Sequence, residues 1–341
     1  MANVEASYAS LGVPTPYGAA RTAKSRSSGG GWSRRFGPLL GLVFVFLLFT
    51  LLRPGRFPHP SNLEIMMLQT AVVGTAALGM TVVIVSGGID LSVGSVIALT
   101  TVVVALLLRA GAGPLAAAGG GLGCGVLCGA ATGLLITRLR LAPFIVTLGM
   151  WGALRGLAKG LARQQMLVTP ATWLNQLLTA LEDTRRWMLL PPGVWVMLLL
   201  ALAVAGLLRF TRFGRHVVAI GSNEPTARLC GVAVERTKLL VYMLGGGFAA
   251  LAGVLQYSYL TVGDPTTGTG MELDVIAAVV IGGGSLAGGE GSVLGSLVGA
   301  LIMTVVGNGC TKMDLPNWVQ EIVTGGIIIA AVALDRLRRR E

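Results

Sequence analysis

Charge is scarce in this sequence: Asp, Glu, Lys and Arg make up 12% of its 341 residues, against roughly 25% in soluble domains. The space they leave is filled by long apolar runs, with 53% hydrophobic residues and a mean hydropathy of +0.76. That composition excludes an ordinary soluble fold and predicts an all-α, polytopic membrane protein. Histidine is nearly absent, since His59 and His216 stand alone. Cysteine is limited to Cys124, Cys128, Cys230 and Cys310, with no C-x-x-C, so the spacing of a metal site is missing. Cys124 and Cys128 lie one helical turn apart in an apolar run and read as small buried residues. No Gly-Lys pair occurs, so the chain has no phosphate-binding loop of its own. It also lacks H-E-x-x-H, G-x-S-x-G and D-x-D. No catalytic residue and no directly bound cofactor are expected. A G-x-G-x-x-A match within "GGGFAA" (Gly245–Ala250) sits in an apolar helix with no strand before it, which removes the dinucleotide reading.

What is present is ten apolar segments: Phe36–Leu52, Ile65–Ser86, Leu91–Leu108, Pro114–Ile136, Pro143–Ala162, Val194–Leu208, Leu239–Leu260, Leu273–Gly284, Gly291–Val306 and Trp318–Leu334. Several are shorter than the roughly 20 residues of a perpendicular span, so tilted, broken or re-entrant helices are expected. The net charge of +11 is dispersed between these segments, which argues against a nucleic-acid partner. With the N-terminus inside, most of the 26 basic residues collect on one side, in the N-tail, "TRLR", the Arg209–Lys238 loop and "DRLRRR". That side is the cytoplasm, and both termini lie there. Trp187, Trp195 and Trp318 mark the opposite lipid boundary. Residues 1–35 read as a disordered cytoplasmic tail, 36–335 as the transmembrane domain and 336–341 as a basic cytoplasmic tail. No signal-peptide cleavage site follows the first apolar segment.

Small residues recur every fourth position at Gly121, Gly125, Gly129 and Gly133, and again at Gly291, Gly295 and Gly299. These faces predict close helix packing. The segment "TPATWLNQLLTALEDTRRW" (Thr169–Trp187) places Leu174, Leu177, Leu178 and Leu181 on one face after a Thr-Pro start, and reads as an interfacial helix on the outer surface. In the longest basic loop, Asn223 suits an N-cap, Glu224 and Pro225 a first turn, and Arg228 a last turn. Gly231 then suits a left-handed closure. The predicted helix is about 10 Å long. It is either an inner-leaflet surface helix or a docking element.

"GSNEPTARLCGVAVERTK" (Gly221–Lys238) resembles the coupling-helix signature of bacterial ATP-binding cassette (ABC) import permeases for simple sugars, the ribose, xylose and arabinose type. "SGGIDLSVGSV", "FIVTLGMWGALRGLAKGL", "MELDVIAAVVIGGGSLAGGEGSVLGSLVGAL" and "NWVQEIVTGGIII" are similar in order and spacing, and the resemblance covers about residues 36–335. It implies a permease in the bacterial inner membrane that works by alternating access. It further implies a second permease copy or paired permease, a cytoplasmic ATP-binding cassette subunit that carries ATP and Mg, and a periplasmic or lipid-anchored sugar-binding protein. Carried over residue by residue, it makes Asn223, Glu224, Pro225, Arg228, Leu229, Gly231 and Val232 the ATPase-docking element.

The expected pathway residues are Gly87, Gly88, Asp90, Ser92, Arg155 and Asn308. Gly87 and Gly88 are expected to end the second span, with Asp90 as N-cap of the third. Either Asp90 only caps, or it also contacts sugar or a cation such as Arg155. Arg155, Lys159 and Arg163 form an i, i+4, i+8 stripe, with Lys159 and Arg163 read as snorkelling. Thr269 and Glu272 read as a capping box, Asp274 sits in the same first turn, and Asn308 reads as a polar helix end. The rival reading is an ion-coupled secondary transporter using Asp90.

Overall fold

Each apolar run becomes a helix, and proline opens four of them, at first-turn positions where its missing amide costs nothing. The computed structural model describes residues 30–181 and 187–340. In chain order the helices are α1 (Gly30–Leu52), α2 (Pro60–Val85), α3 (Val93–Arg109), α4 (Pro114–Leu139), α5 (Pro143–Leu161) and α6 (Pro192–Phe210). They continue as α7 (Arg212–Ser222), α8 (Glu224–Leu229), α9 (Val234–Leu260), α10 (Met271–Ile281), α11 (Val293–Lys312) and α12 (Asn317–Arg340). The strands among the described residues are two residues each: β1 (Leu167–Val168) pairs antiparallel with β2 (Val262–Gly263). Residues 1–37 form one unit and 38–341 another. The described part of the first is the start of α1.

All ten expected segments are therefore helical. Helices α2, α4, α6, α9 and α11 are long and apolar enough to cross a membrane. Helix α10, at 11 residues, is about 16 Å long and cannot cross one alone. The segment before it re-enters the bundle along α3. Gly263 lies against Thr101 and Ala105, the Asp264 amide donates to Thr101 Oγ1 (3.1 Å), and Gly268 lies against Gly94 in the first turn of α3.

Several boundaries differ from expectation. Helix α1 starts at Gly30, inside the expected tail, whose residues 1–29 lie outside the described ones. Helix α12 runs through the expected C-terminal tail to Arg340. Gly291 precedes α11, which is capped by Ser292 accepting from the Gly295 amide (3.1 Å). The interfacial helix is not formed within 169–181, and 182–186 lie outside the described residues. In its place a single 3-10 turn, Trp173–Gln176, is closed by a Thr172–Asn175 capping box. Leu174 and Leu178 are buried, and the Leu178 amide donates to Ser258 Oγ (2.9 Å). The outer end of α9 offers these leucines a protein surface, so the segment folds onto the bundle.

The glycine faces carry the packing. In α4, a Cβ on Gly129 would overlap the Tyr242 carbonyl of α9, and one on Gly125 would lie 2.6 Å from the Gly246 carbonyl oxygen. In α11, Gly295 and Gly299 meet the backbone of Gly282 and Ala278. Gly123, on another face of α4, has open space around it. Leucine at Gly125 and Gly129 should therefore sharply lower membrane-assembled protein, since overpacking costs about 1–3 kcal/mol or more per site. Gly123→Leu should accumulate normally. Equal abundance of the Gly125→Leu, Gly129→Leu chain would show that this face does not pack on α9.

Candidate functional site

The first helix break follows α2. The Gly87 amide donates to the Ile84 carbonyl (2.9 Å) and the Gly88 amide to the Val83 carbonyl (3.0 Å), with Gly87 at φ +81°. This is the paired 5→2 and 6→1 closure that needs a left-handed residue. Gly88 has ordinary φ and serves space instead, because a Cβ there would meet the Tyr242 hydroxyl. Asp90 is not the N-cap. Helix α3 begins at Val93 with Ser92 in the cap position, and Asp90 Oδ1 accepts from the Ser92 amide (2.8 Å) and hydroxyl (2.6 Å). Two turn residues separate the carboxylate from the helix, so it organises the turn before the helix. Helix α5 closes over the break: Thr147 Oγ1 donates to the Ile89 carbonyl (3.1 Å) and Ser95 Oγ to the Trp151 carbonyl (2.7 Å).

Arg155 sits elsewhere, against the re-entrant segment. Its Nη1 donates to the carbonyls of Pro265 (3.2 Å) and Thr267 (2.5 Å). No carboxylate pairs with it as a salt bridge among the described residues; its role there is to satisfy non-helical backbone. The Thr269–Glu272 capping box is not formed. Helix α10 starts from Gly270 at φ +85°, which leaves Thr269 in the preceding turn donating to the Thr266 carbonyl (2.8 Å). Glu272 Oε1 instead accepts from Trp151 Nε1 (3.2 Å) and the Gly270 amide (3.3 Å).

On the basic side, α7 and α8 form a hairpin. Asn223 caps α8 by accepting from the Thr226 amide (2.9 Å), and the helix spans six residues, Glu224–Leu229. Gly231 takes φ +83°, its amide bonds to the Arg228 carbonyl, and the Val232 amide bonds to the Ala227 carbonyl (3.1 Å), closing the helix as the sequence implies. Ala227, Val232, Val234 and Ile220 pack together beneath it. Glu224 accepts from Lys238 (2.6 Å), and Arg228 pairs with Glu235 (2.5 Å). The Glu235 hydrogen bond, with Glu224 beside it, holds the Arg228 guanidinium above its ordinary range. Leu229 is left 89% exposed.

The hairpin is rooted on the helix breaks. A Cβ on Gly221, at the end of α7, would overlap the Val85 carbonyl and lie 2.5 Å from the Gly289 amide. That amide in turn donates to the Val85 carbonyl (2.9 Å). Gly288 lies against Gly87 and Gly221. The end of α2, the turn before α11 and the base of the hairpin thus meet backbone to backbone. Gly221, Gly288 and Gly289 are absent from the expected site residues, although a glycine-rich turn such as "GGEGS" is the usual signal of close backbone approach.

Asn308 lies away from both breaks, inside α11 and not at its end. Its Oδ1 accepts from Asn62 Nδ2 (2.9 Å), and it lines a cavity of about 460 Å³ with Gln69, Gln256, Asp274 and Thr304. The expected pathway residues therefore fall in three places: Gly87, Gly88, Asp90 and Ser92 at the break, Arg155 on the re-entrant segment, and Asn308 in the cavity. Groups of three or more His, Cys, Asp or Glu able to hold a metal do not occur among the described residues.

A bundle of broken and unbroken apolar helices with a hairpin on its basic side has the build of a polytopic membrane protein. The chain belongs to the family described as branched-chain amino acid transport system / permease component, whose model matches residues 62–332. It is 38% identical over 314 residues to the ribose import permease protein of Escherichia coli (strain K12), covering 90% of this chain and 95% of that one. It is 33% identical to the L-arabinose ABC transporter permease protein of Azospirillum brasilense, covering 94% of each. It is 36% identical to the fructose import permease protein of Rhizobium meliloti, covering 89% of this chain and 85% of that one. No solved structure matches the chain. The protein is a multi-pass protein of the bacterial inner membrane.

Because Asp90 acts through one acceptor oxygen, asparagine can replace it. Asp90→Asn should assemble and transport nearly as wild type, whereas Asp90→Ala should lose about 1 kcal/mol or more of stability by leaving the Ser92 amide unpaired. Membrane abundance and uptake, read side by side, test this. An abundant Asp90→Asn chain without uptake would mean that the charge itself serves transport.

Proposed function

We propose that this chain is the membrane-spanning subunit of an ATP-driven importer of monosaccharides, with ATP hydrolysis carried out by a separate cytoplasmic subunit. The observation that carries the reading is the rooting of the exposed α7–α8 hairpin on the end of α2 and the turn before α11. A partner that grips Leu229 and moves α8 pulls directly on Gly221, and through it on the end of α2 and the turn before α11. The sugar class is supported by relatives named for ribose, L-arabinose and fructose. Asn223, Glu224, Pro225, Arg228, Leu229, Gly231 and Val232 are the docking element. A sugar-binding protein delivers solute on the opposite side, and a second permease completes the pathway. Alternating access follows if ATP binding and the loaded binding protein favour different states of the bundle.

Reconstitution in vesicles with an ATPase subunit and a binding protein tests this. Uptake of D-ribose, L-arabinose or D-fructose should require ATP and survive a collapsed ion gradient. The purified chain alone should hydrolyse no ATP. Uptake that follows the ion gradient without ATP would replace this reading with an ion-coupled carrier.

The hairpin can be tested by itself. Gly231 has open space around it but a left-handed backbone, so Gly231→Ala strains only the α8 closure, by about 1–2 kcal/mol. Abundance should hold while co-purification of the ATPase subunit and uptake both fall. Normal values of both would remove α8 from the coupling role.

A further inference from the structure

Glutamine and asparagine are expensive in apolar helices and are kept there for a reason. Four elements line the same cavity with such groups: Gln69 from α2, Gln256 from α9, Asn308 from α11 and Gln320 from α12, the last donating to the Leu315 carbonyl (3.2 Å); Asp274 of α10 and Lys312 at the end of α11, one charge of each sign, complete the polar lining. The volume of about 460 Å³ falls in the usual range of small-molecule sites, roughly 300–1,000 Å³.

The amides are also oriented by their own partners. Asn62 Nδ2 donates to Asn308 Oδ1 (2.9 Å) and to the Phe57 carbonyl (2.9 Å), which fixes Asn308 and leaves its Nδ2 as the free donor. Gln256 Nε2 donates to Thr267 Oγ1 (2.9 Å), which leaves its Oε1 as the free acceptor. The Gln69 side chain makes no hydrogen bond with the described residues and offers both. A hydroxyl needs a donor and an acceptor at once, and an uncharged amide supplies both without demanding a counter-charge. Asp274 adds an acceptor-only group that can take two adjacent hydroxyls.

We propose that this cavity is a solute-selecting site within the permease for a neutral polyhydroxylated ring, read by Gln69, Gln256, Asp274 and Asn308. The inference rests on the sugar-import reading above and deepens it. Selection is then shared: the permease tests the hydroxyl pattern of whatever the binding protein releases. Removing the Gln69 amide leaves no internal bond broken, so a loss at that position reports on the solute.

The test uses the full chain in proteoliposomes with its ATPase and binding subunits, and radiolabelled D-ribose, L-arabinose, D-fructose and L-leucine. At equal abundance, Gln69→Leu should cut uptake of the carried sugar at least ten-fold and alter the ratio between sugars, while Gln69→Asn should stay within about three-fold. Sugar uptake by Gln69→Leu within two-fold of wild type overturns the cavity assignment and leaves sugar import standing. A wild-type chain that carries L-leucine and no sugar overturns both. If Gln69→Leu does not accumulate, Gln69→Cys decides: its alkylation, relative to the native cysteines, should be slowed by the carried sugar, and unslowed alkylation overturns the site.

Discussion

A backbone that leaves the helix inside a bilayer has no water to turn to, so protein must supply every partner it loses. Three stretches of this chain leave the helix between apolar segments: the turn after α2, the re-entrant segment before α10, and the turn between α10 and α11. Two kinds of closure recur among them. Asp90 Oδ1 accepts from the amide and hydroxyl of Ser92, and Asp264 Oδ1 accepts from the amide and hydroxyl of Thr266. After α10, the Gly283 amide bonds to the Val280 carbonyl and the Gly284 amide to the Val279 carbonyl, repeating the closure at Gly87 and Gly88. Arg155 fills the remaining need by donating to carbonyls that no helix can satisfy. Both bonds come from Nη1, while Nε and Nη2 find no partner among the described residues.

Glycine solves the second half of the problem, which is distance. Where α4 meets α9 and where Gly221 meets Val85 and Gly289, carbonyls and Cα atoms touch with no side chain between them. Contacts of this kind have little slack, because a side chain can change rotamer but a backbone carbonyl must move with its helix. The α4–α9 contact therefore fixes two spans together, whereas the Gly221 contact ties the spans to the hairpin. The same residue type serves both, and the difference lies in what is on the far side: another membrane helix in one case, an exposed element with Leu229 at its tip in the other.

Local signals were legible in the sequence and long-range ones were not. Asn223, Pro225 and Gly231 mark the ends of α8 because capping acts over three or four residues, and the structure places them as the sequence implies. The four-residue glycine spacing of α4 marks a packed face, although it does not say that α9 is the partner. Asp90 was misplaced by two residues, since a carboxylate can serve a turn or a helix start with the same oxygen. The Thr269–Glu272 pattern failed because Gly270 took the left-handed conformation and moved the helix start past Thr269. The leucines of 169–181 have the periodicity of a lipid-facing helix, and only the tertiary fold reveals that α9 covers them. Gln69 lies 187 residues before Gln256 and 251 before Gln320, and only the packing of α2, α9 and α12 brings them to one cavity.

Helix α2 joins the two parts of the candidate machinery. Gln69 faces the cavity, and Val85 at its far end accepts from Gly289 beneath the hairpin. Sixteen residues of helix separate them, about 24 Å. Between those points α2 is buried almost throughout, with Ala71, Ala76, Ala77, Leu78, Val82, Val83 and Ile84 in the core. Helix α10 makes a second link, since Asp274 lines the cavity and Gly282 to Gly289 lead from its other end to Gly221. Displacement at the hairpin root therefore acts on two elements whose opposite ends carry polar groups of the cavity. The glycine contact at one end of these elements and the cavity amides at the other are thus joined through the same two helices.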